Sequence, residues 1–159
     1  WLKRTTGTTL TALEISEAMI AVAGRNAREY GLDARVHSVN GNALAMPFPS
    51  GTFDAAFSNG SLHEWQDPRK VLDEIYRVLK PGGRVFISDL RRDMHPVIRW
   101  FLKRSTRPKQ IASGLESSIN AAYIPAEIRT IVQGTLFRNA VVRANPLGLE
   151  ITGRTPGAS

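Results

Sequence analysis

Residues 53–90, FDAAFSNGSLHEWQDPRKVLDEIYRVLKPGGRVFISDL, constrain the fold more than any other part of the chain. Phe53 to Ser58 is a short apolar run suited to a buried strand, and Asn59, Gly60 and Ser61 end it. Asp67 is a helix N-cap, and Pro68 falls at the first helical position, where its missing N–H costs nothing. Val71, Leu72, Ile75, Val78 and Leu79 then recur on one helical face. Pro81-Gly82-Gly83 is expected to stop the helix and turn the chain, and Val85, Phe86 and Ile87 open the next strand. A β-α-β unit this short implies two parallel strands joined by a right-handed crossover.

The flanking sequence extends the pattern. Thr9–Ser16 reads as a strand ending on a carboxylate. Ser16 can cap a following helix whose apolar stripe is Met19, Ile20, Ala23, Ala27 and Tyr30, and Gly31 ends it. Ala34–Val39 reads as another strand, with Gly41-Asn42-Ala43 turning beyond it. Past Asp89, Pro96 to Arg104 is apolar and basic, and Pro108 to about Tyr123 is a second helical stretch. Pro125 to Gln133 reads as a helix stopped by Gly134. Asn139–Ala144 and Leu149–Arg154 read as an antiparallel pair, with a frayed end from Pro156 to Ser159.

Hydrophobic residues make up 42% of the 159, which suits one globular domain rather than a disordered chain. With no cysteine, a disulfide framework, a Cys-type zinc site, an iron–sulfur cluster and a cysteine nucleophile are all excluded, and no metal site is expected. No run approaches about 18 apolar residues, and no apolar signal core opens the chain, so a cytoplasmic location is expected. The net charge of +7 is concentrated. Arg91, Arg92, Arg99, Lys103, Arg104, Arg107 and Lys109 stand against Asp93 alone. Such a segment suits a membrane surface or an anionic ligand, and equally a solvated helix face.

One ordered series carries a family resemblance: Pro47-Phe48-Pro49, Phe53-Asp54, Leu62-His63-Glu64-Trp65, Asp67-Pro68, then Glu74-Ile75-Tyr76-Arg77-Val78-Leu79-Lys80-Pro81-Gly82-Gly83. It closely resembles the second half of class I S-adenosylmethionine-dependent methyltransferases. The nearest type includes the ubiquinone/menaquinone-biosynthesis enzymes. The resemblance runs from about Thr9 to Asp89 and more loosely through Gly153. It implies an α/β fold: a three-layer Rossmann-like sheet, mostly parallel, with an antiparallel C-terminal strand pair. One domain over 1–159 is expected, with 91–123 as a helical lid insertion. The family's first strand and its glycine-rich loop have no counterpart before Thr9, which reads as a chain that starts part-way through the domain. A vacant central strand would leave a slot of about 9–10 Å. The sheet would then close directly, or take a strand from another chain, or be poorly stable.

The resemblance implies S-adenosylmethionine as cofactor and assigns its contacts. Glu14, with Ile15 after it, ends the second strand of the family, where an acid accepts ribose hydroxyls. The alternative is a solvent-facing acid. Asn42 and Ala43 match the adenine-contacting turn. An acid is common there, so Asn42 is a departure, although an amide can still accept from the adenine amino group. Met19 can lie against adenine or belong to the core. Asn59, Gly60 and Ser61 match the cofactor's amino-acid end. His63, in the loop at the carboxyl end of a parallel strand, can serve as general base or simply shape the pocket. Asp89 ends the next strand and can face the same edge, with capping of the next turn as its plainer role. The leading expectation is methyl transfer to a small molecule. Alternatives are a non-catalytic remnant or interaction module, and an RNA-binding relative. A nicotinamide-dependent dehydrogenase also needs a glycine-rich first loop, and its Tyr–Lys pair is not evident. A homo-oligomer built by strand exchange is left open.

Overall fold

The computed structural model describes residues 2–105 and 109–157, and the side chains of all of these but 109–113. Trp1, Arg107, Pro108 (the expected start of the second helical stretch) and the last residues of the expected frayed end lie outside the described residues. The chain forms two compact units, Trp1–Phe48 and Pro49–Ser159.

In the first unit, β1 (Leu10–Glu14) pairs in parallel with β2 (Val36–Asn40), from Leu10↔Val36 to Glu14↔Asn40. Helix α1 (Glu17–Glu29) makes the crossover. Ser16 caps it as the sequence implies, its Oγ accepting the Met19 N–H at 3.3 Å. Gly31, at φ +63°, supplies the left-handed residue that ends it. Arg35 ties the N-terminal segment to β2, donating to the carbonyls of Thr8 and Thr5, both at 2.8 Å. That arginine closes a 3-10 turn over Asp33–Arg35, so β2 starts at Val36 rather than Ala34. The expected apolar stripe is only partly buried. Ala27 is buried, whereas Met19 and Tyr30 are 54% and 57% exposed. Two strands make a surface only about 10 Å wide, enough for a narrow strip of helix. Tyr30 instead receives the Lys3 ammonium over its ring at 4.3 Å.

The second unit holds a sheet of order β3-β4-β6-β5. Strand β3 (Phe53–Asn59) lies parallel to β4 (Leu79–Leu90). Strands β6 (Gly148–Arg154) and β5 (Val141–Ala144) complete it with antiparallel pairings. The parallel strands with an antiparallel end are those of the expected α/β class, and they fall into two sheets.

Helix α2 (Pro68–Val78) forms as its sequence dictates. Asp67 Oδ1 accepts the N–H groups of Arg69 and Lys70, each at 3.1 Å. Val71, Leu72, Ile75 and Val78 are buried, each contributing about 1.5–3 kcal/mol of apolar burial. The helix ends one residue earlier than the stripe suggests, because Leu79 is already extended (φ −78°, ψ 139°). Pro81-Gly82-Gly83 is therefore an irregularity inside β4 and not a turn before it. The register runs from Phe53↔Leu79 to Ala55↔Arg84, so two steps along β3 match five along β4, with Gly82 at φ +76° taking up the excess. Thr155 pins the distortion: its Oγ donates to the Lys80 carbonyl at 2.6 Å and its N–H to the Gly83 carbonyl at 3.0 Å.

Along β4, Val85, Ile87 and Asp89 face inward, joined by Leu149 and Ile151 of β6. The opposite face carries the cross-strand pair Phe57 and Phe86, 63% and 43% exposed. The buried strand expected over Phe53–Ser58 is thus the edge strand of this sheet, with one apolar side open. Helices α3 (Pro96–Ser105), α4 (Lys109–Ala121) and α5 (Pro125–Gln133) follow β4, and α3 and α4 fall within residues 91–123. The α5 segment packs on α2 through the edge-on rings of Tyr76 and Phe137, 5.1 Å apart.

Candidate active site

Because β3 and β4 are parallel, their carboxyl ends share one edge of the sheet, the edge at which open α/β sheets hold ligands. Asn59 ends β3 opposite Ser88. Ser88 Oγ donates to Asn59 Oδ1 at 2.7 Å, and the Gly60 N–H donates to the Ser88 carbonyl at 2.8 Å. Gly60 makes this turn at φ +71°, and a Cβ placed on it would meet nothing within 4 Å. Backbone at this point is open to approach by a ligand. Ser61 leads into a 3-10 turn, Leu62–Glu64, anchored by the fully buried Leu62.

That turn sets His63 against Asp89. The Asp89 carboxylate accepts the His63 backbone N–H at 2.8 Å and the Leu90 N–H at 2.7 Å. His63 Nδ1 lies 3.1 and 3.0 Å from its two oxygens. The side chains of His63 and Asp89 are only 8% and 2% exposed. An ionised carboxylate can only accept, so Nδ1 carries a hydrogen, and in the neutral ring the lone pair is then on Nε2. Glu64 Oε1 lies 3.9 Å from Nε2, beyond hydrogen-bond reach, on a side chain 73% exposed. The imidazole is thus held through Nδ1 in the turn that follows β3. Asp89 does more than cap the next turn: it faces the same edge as His63, and the pairing of the two is what the sequence did not disclose. The signal was present: a His just after one parallel strand and an Asp at the end of its neighbour.

A cleft of about 400 Å³ opens just beyond β4. Met94, Pro96, Ile98 and Pro146 give it apolar walls, and Arg91 and Asp93 a charged rim. Arg91 grips Asp93 with two hydrogen bonds, at 2.7 and 2.8 Å. Those bonds hold the Asp93 carboxyl below its ordinary pKa and push the guanidinium up.

In the first unit, the carboxyl ends of β1 and β2 likewise meet, at Glu14 and Asn40. Glu14 Oε1 accepts the Ser16 N–H at 2.9 Å, and its carbonyl accepts the Gly41 N–H at 3.1 Å. Asn40 Nδ2 donates to the Ile15 carbonyl at 3.1 Å, a bond that the sequence reading did not foresee. Ile15 and Met19 are exposed, free to meet a ligand. Asn42 Oδ1 accepts the Leu44 N–H at 2.9 Å, which fits the turn role and leaves its amide N–H groups for other partners. Ala43 is half-buried beside it. The structure therefore gathers Glu14, Ile15, Asn42 and Ala43 at one edge in this unit. It gathers Asn59, Gly60, Ser61 and His63 at the other unit's edge.

A family model described as "Methyltransferase domain" matches residues 1–87, more than half of the chain. The chain belongs to this family, the class I S-adenosylmethionine-dependent methyltransferases. It is 35% identical over 123 residues to the 2-phytyl-1,4-naphtoquinone methyltransferase of Synechococcus elongatus, covering 75% of this chain and 52% of that protein. It is 32% identical to the ubiquinone/menaquinone biosynthesis C-methyltransferase UbiE of Cereibacter sphaeroides, over 65% of this chain and 42% of that protein. The chain thus spans about half the length of these relatives. Among solved structures, an S-adenosylmethionine-dependent methyltransferase from Aquifex aeolicus superposes with a TM-score of 0.66 at 19% identity, covering 92% of this chain and 68% of that one. The family's cofactor is S-adenosylmethionine. A half-buried carboxylate with one oxygen already fixed by backbone can accept hydroxyls, and the bare Gly60 turn admits a close-lying group.

Proposed function

We propose that this methyltransferase domain transfers a methyl group from S-adenosylmethionine to a hydroxylated, quinol-type small molecule, with His63 as general base. The observation that carries the reading is the His63–Asp89 pair at the carboxyl edge of β3 and β4. Bound S-adenosylmethionine supplies a methyl group made electrophilic by its sulfonium. Glu14 would accept the ribose hydroxyls, Ile15 and Met19 would offer apolar contact, and Asn42 and Ala43 would serve the adenine. Asn59, Gly60 and Ser61 would serve the amino-acid end. His63 Nε2 would take the O–H proton of the acceptor, making the quinol electron-rich enough to accept the methyl group, with S-adenosylhomocysteine as the group that leaves. Asp89 then lies against the resulting imidazolium, favouring the charge that forms in the transition state. In the cleft, Met94, Pro96 and Ile98 offer apolar contact to a ring, beside the polar Arg91, Asp93 and His95, in keeping with the quinone-type names of the relatives.

Calorimetric titration with S-adenosylmethionine tests the cofactor assignment, with Glu14→Ala expected to weaken binding at least about tenfold. Methylation of chemically reduced 2-phytyl-1,4-naphthoquinone, followed by mass spectrometry, tests the acceptor. His63→Gln is expected to slow transfer about 10²-fold or more while cofactor affinity stays unchanged. Undiminished transfer by His63→Gln would remove the general base from the mechanism.

A further inference from the structure

Helix α3 (Pro96–Ser105) has two unlike faces. Ile98, Arg99, Leu102 and Lys103 are half-buried. Arg99 Nη2 donates to Asn120 Oδ1 at 2.6 Å and lies 3.4 Å from Glu116 Oε1, while Lys103 Nζ reaches Glu116 Oε2 at 2.7 Å. This face is docked on α4. The other face carries Val97, Trp100 and Phe101, 64%, 63% and 61% exposed. Their spacing is i, i+3, i+4, and the exposed Arg104 completes the stripe at i+7. Three large apolar side chains side by side in water are costly on a helix whose other face is already satisfied.

The local charge says what the stripe fits. Arg91 is neutralised by Asp93, and Arg92 by Glu127 at 2.7 Å. Arg99 and Lys103 share the single carboxylate of Glu116, and among the described residues Arg104 has no acidic partner, so α3 keeps a positive surplus. No acidic residue lies in α3 itself, and Arg107 and Lys109 follow it in sequence. An apolar stripe with an indole, bordered by unneutralised cations, is complementary to the headgroup region of an anionic bilayer. We propose that α3 lies flat on an anionic lipid surface, with Val97, Trp100 and Phe101 inserted at the acyl boundary and Arg104 among the headgroups.

Sedimentation of the full chain with vesicles tests this. One set is phosphatidylcholine alone and the other contains phosphatidylglycerol as well. The chain is expected to sediment with the mixed vesicles, less with the neutral ones, and less as salt rises. Trp100→Ser/Phe101→Ser removes the stripe without touching the face on α4, and is expected to bind the mixed vesicles about tenfold more weakly or worse. Arg104→Glu keeps the stripe and is expected to lose the preference for anionic lipid. The far-ultraviolet circular dichroism of both variants should match the parent chain. No sedimentation at low salt, or equal sedimentation of parent and double variant, overturns the proposal. So does a chain that shifts duplex RNA in a gel while ignoring the vesicles.

Discussion

Replacing Asp89 by Asn keeps the shape of the side chain and changes its hydrogen-bonding sense at one atom. In the native chain Oδ2 accepts the His63 N–H and Oδ1 accepts the Leu90 N–H, while both face Nδ1. An amide nitrogen at the Oδ1 position would point its hydrogens at the Leu90 N–H. At the Oδ2 position it would point them at the His63 N–H. Either way one backbone N–H in a site only 2% exposed at Asp89 loses its acceptor. Such a stranded donor costs about 1–3 kcal/mol, and loss of charge assistance in the surviving bonds adds about 1 kcal/mol. The expected loss is about 2–4 kcal/mol in urea unfolding, or about 4–16 °C in Tm for a chain of this size. Ser88→Ala is the control, because its hydroxyl bond to Asn59 is exposed and should be worth under about 1 kcal/mol. Nitrogen-15 spectra of the native His63 ring should place the proton on Nδ1. An Asp89→Asn variant as stable as the parent, or a native ring protonated on Nε2, would refute the reading of this pair.

Asp67→Ala removes the cap of α2 and should cost about 1 kcal/mol, read as a lower urea midpoint with an unchanged slope. Gly148→Ala should cost about 1–3 kcal/mol in the same assay, because its Cβ would press into the Asp89 carbonyl, and backbone cannot step aside as a flexible side chain would. Glu127 bears on acid stability. Its carboxyl is held below the ordinary 4.5, first by the Ile124 N–H and then by Arg92. A carboxyl with a depressed folded pKa contributes stability that is full above the ordinary value and lost as pH falls through the lowered one. Glu127→Gln should therefore flatten the fall in Tm on acidification through that window, and a fall as steep as the parent's would rule out this contribution.

Helix α2 was legible in the sequence because everything that makes it is local. Asp67 caps within three residues, Pro68 suits only a first turn, and the stripe from Val71 to Val78 repeats within the helix itself. The same holds for Ser16 and α1, for Gly31, and for α5 with Gly134 after it. The family resemblance rests on such local runs too. It also put Glu14 and Asn59 at strand ends and His63 in the loop after one, and β1, β3 and the turn Leu62–Glu64 carry them there.

What the chain alone did not disclose depends on partners far away in sequence. His63 and Asp89 are 26 residues apart, and their meeting requires both the parallel register of Asn59 on Ser88 and the distortion at Gly82 that sets it. The insertion of β6 between β4 and β5 is likewise a matter of pairing, to which an alternating pattern is indifferent. Burial follows the same rule. Periodicity marks Met19, Phe57 and the α3 stripe as apolar, and whether such residues meet protein, ligand or lipid is decided by what the tertiary structure leaves uncovered. The sequence by itself determined which segments are helix or strand and which residue types stand at their ends, because those depend on neighbours within a turn or a pleat. Only the folded chain decided which of those ends touch and which apolar faces remain open, because contact is a property of two distant segments and burial of many.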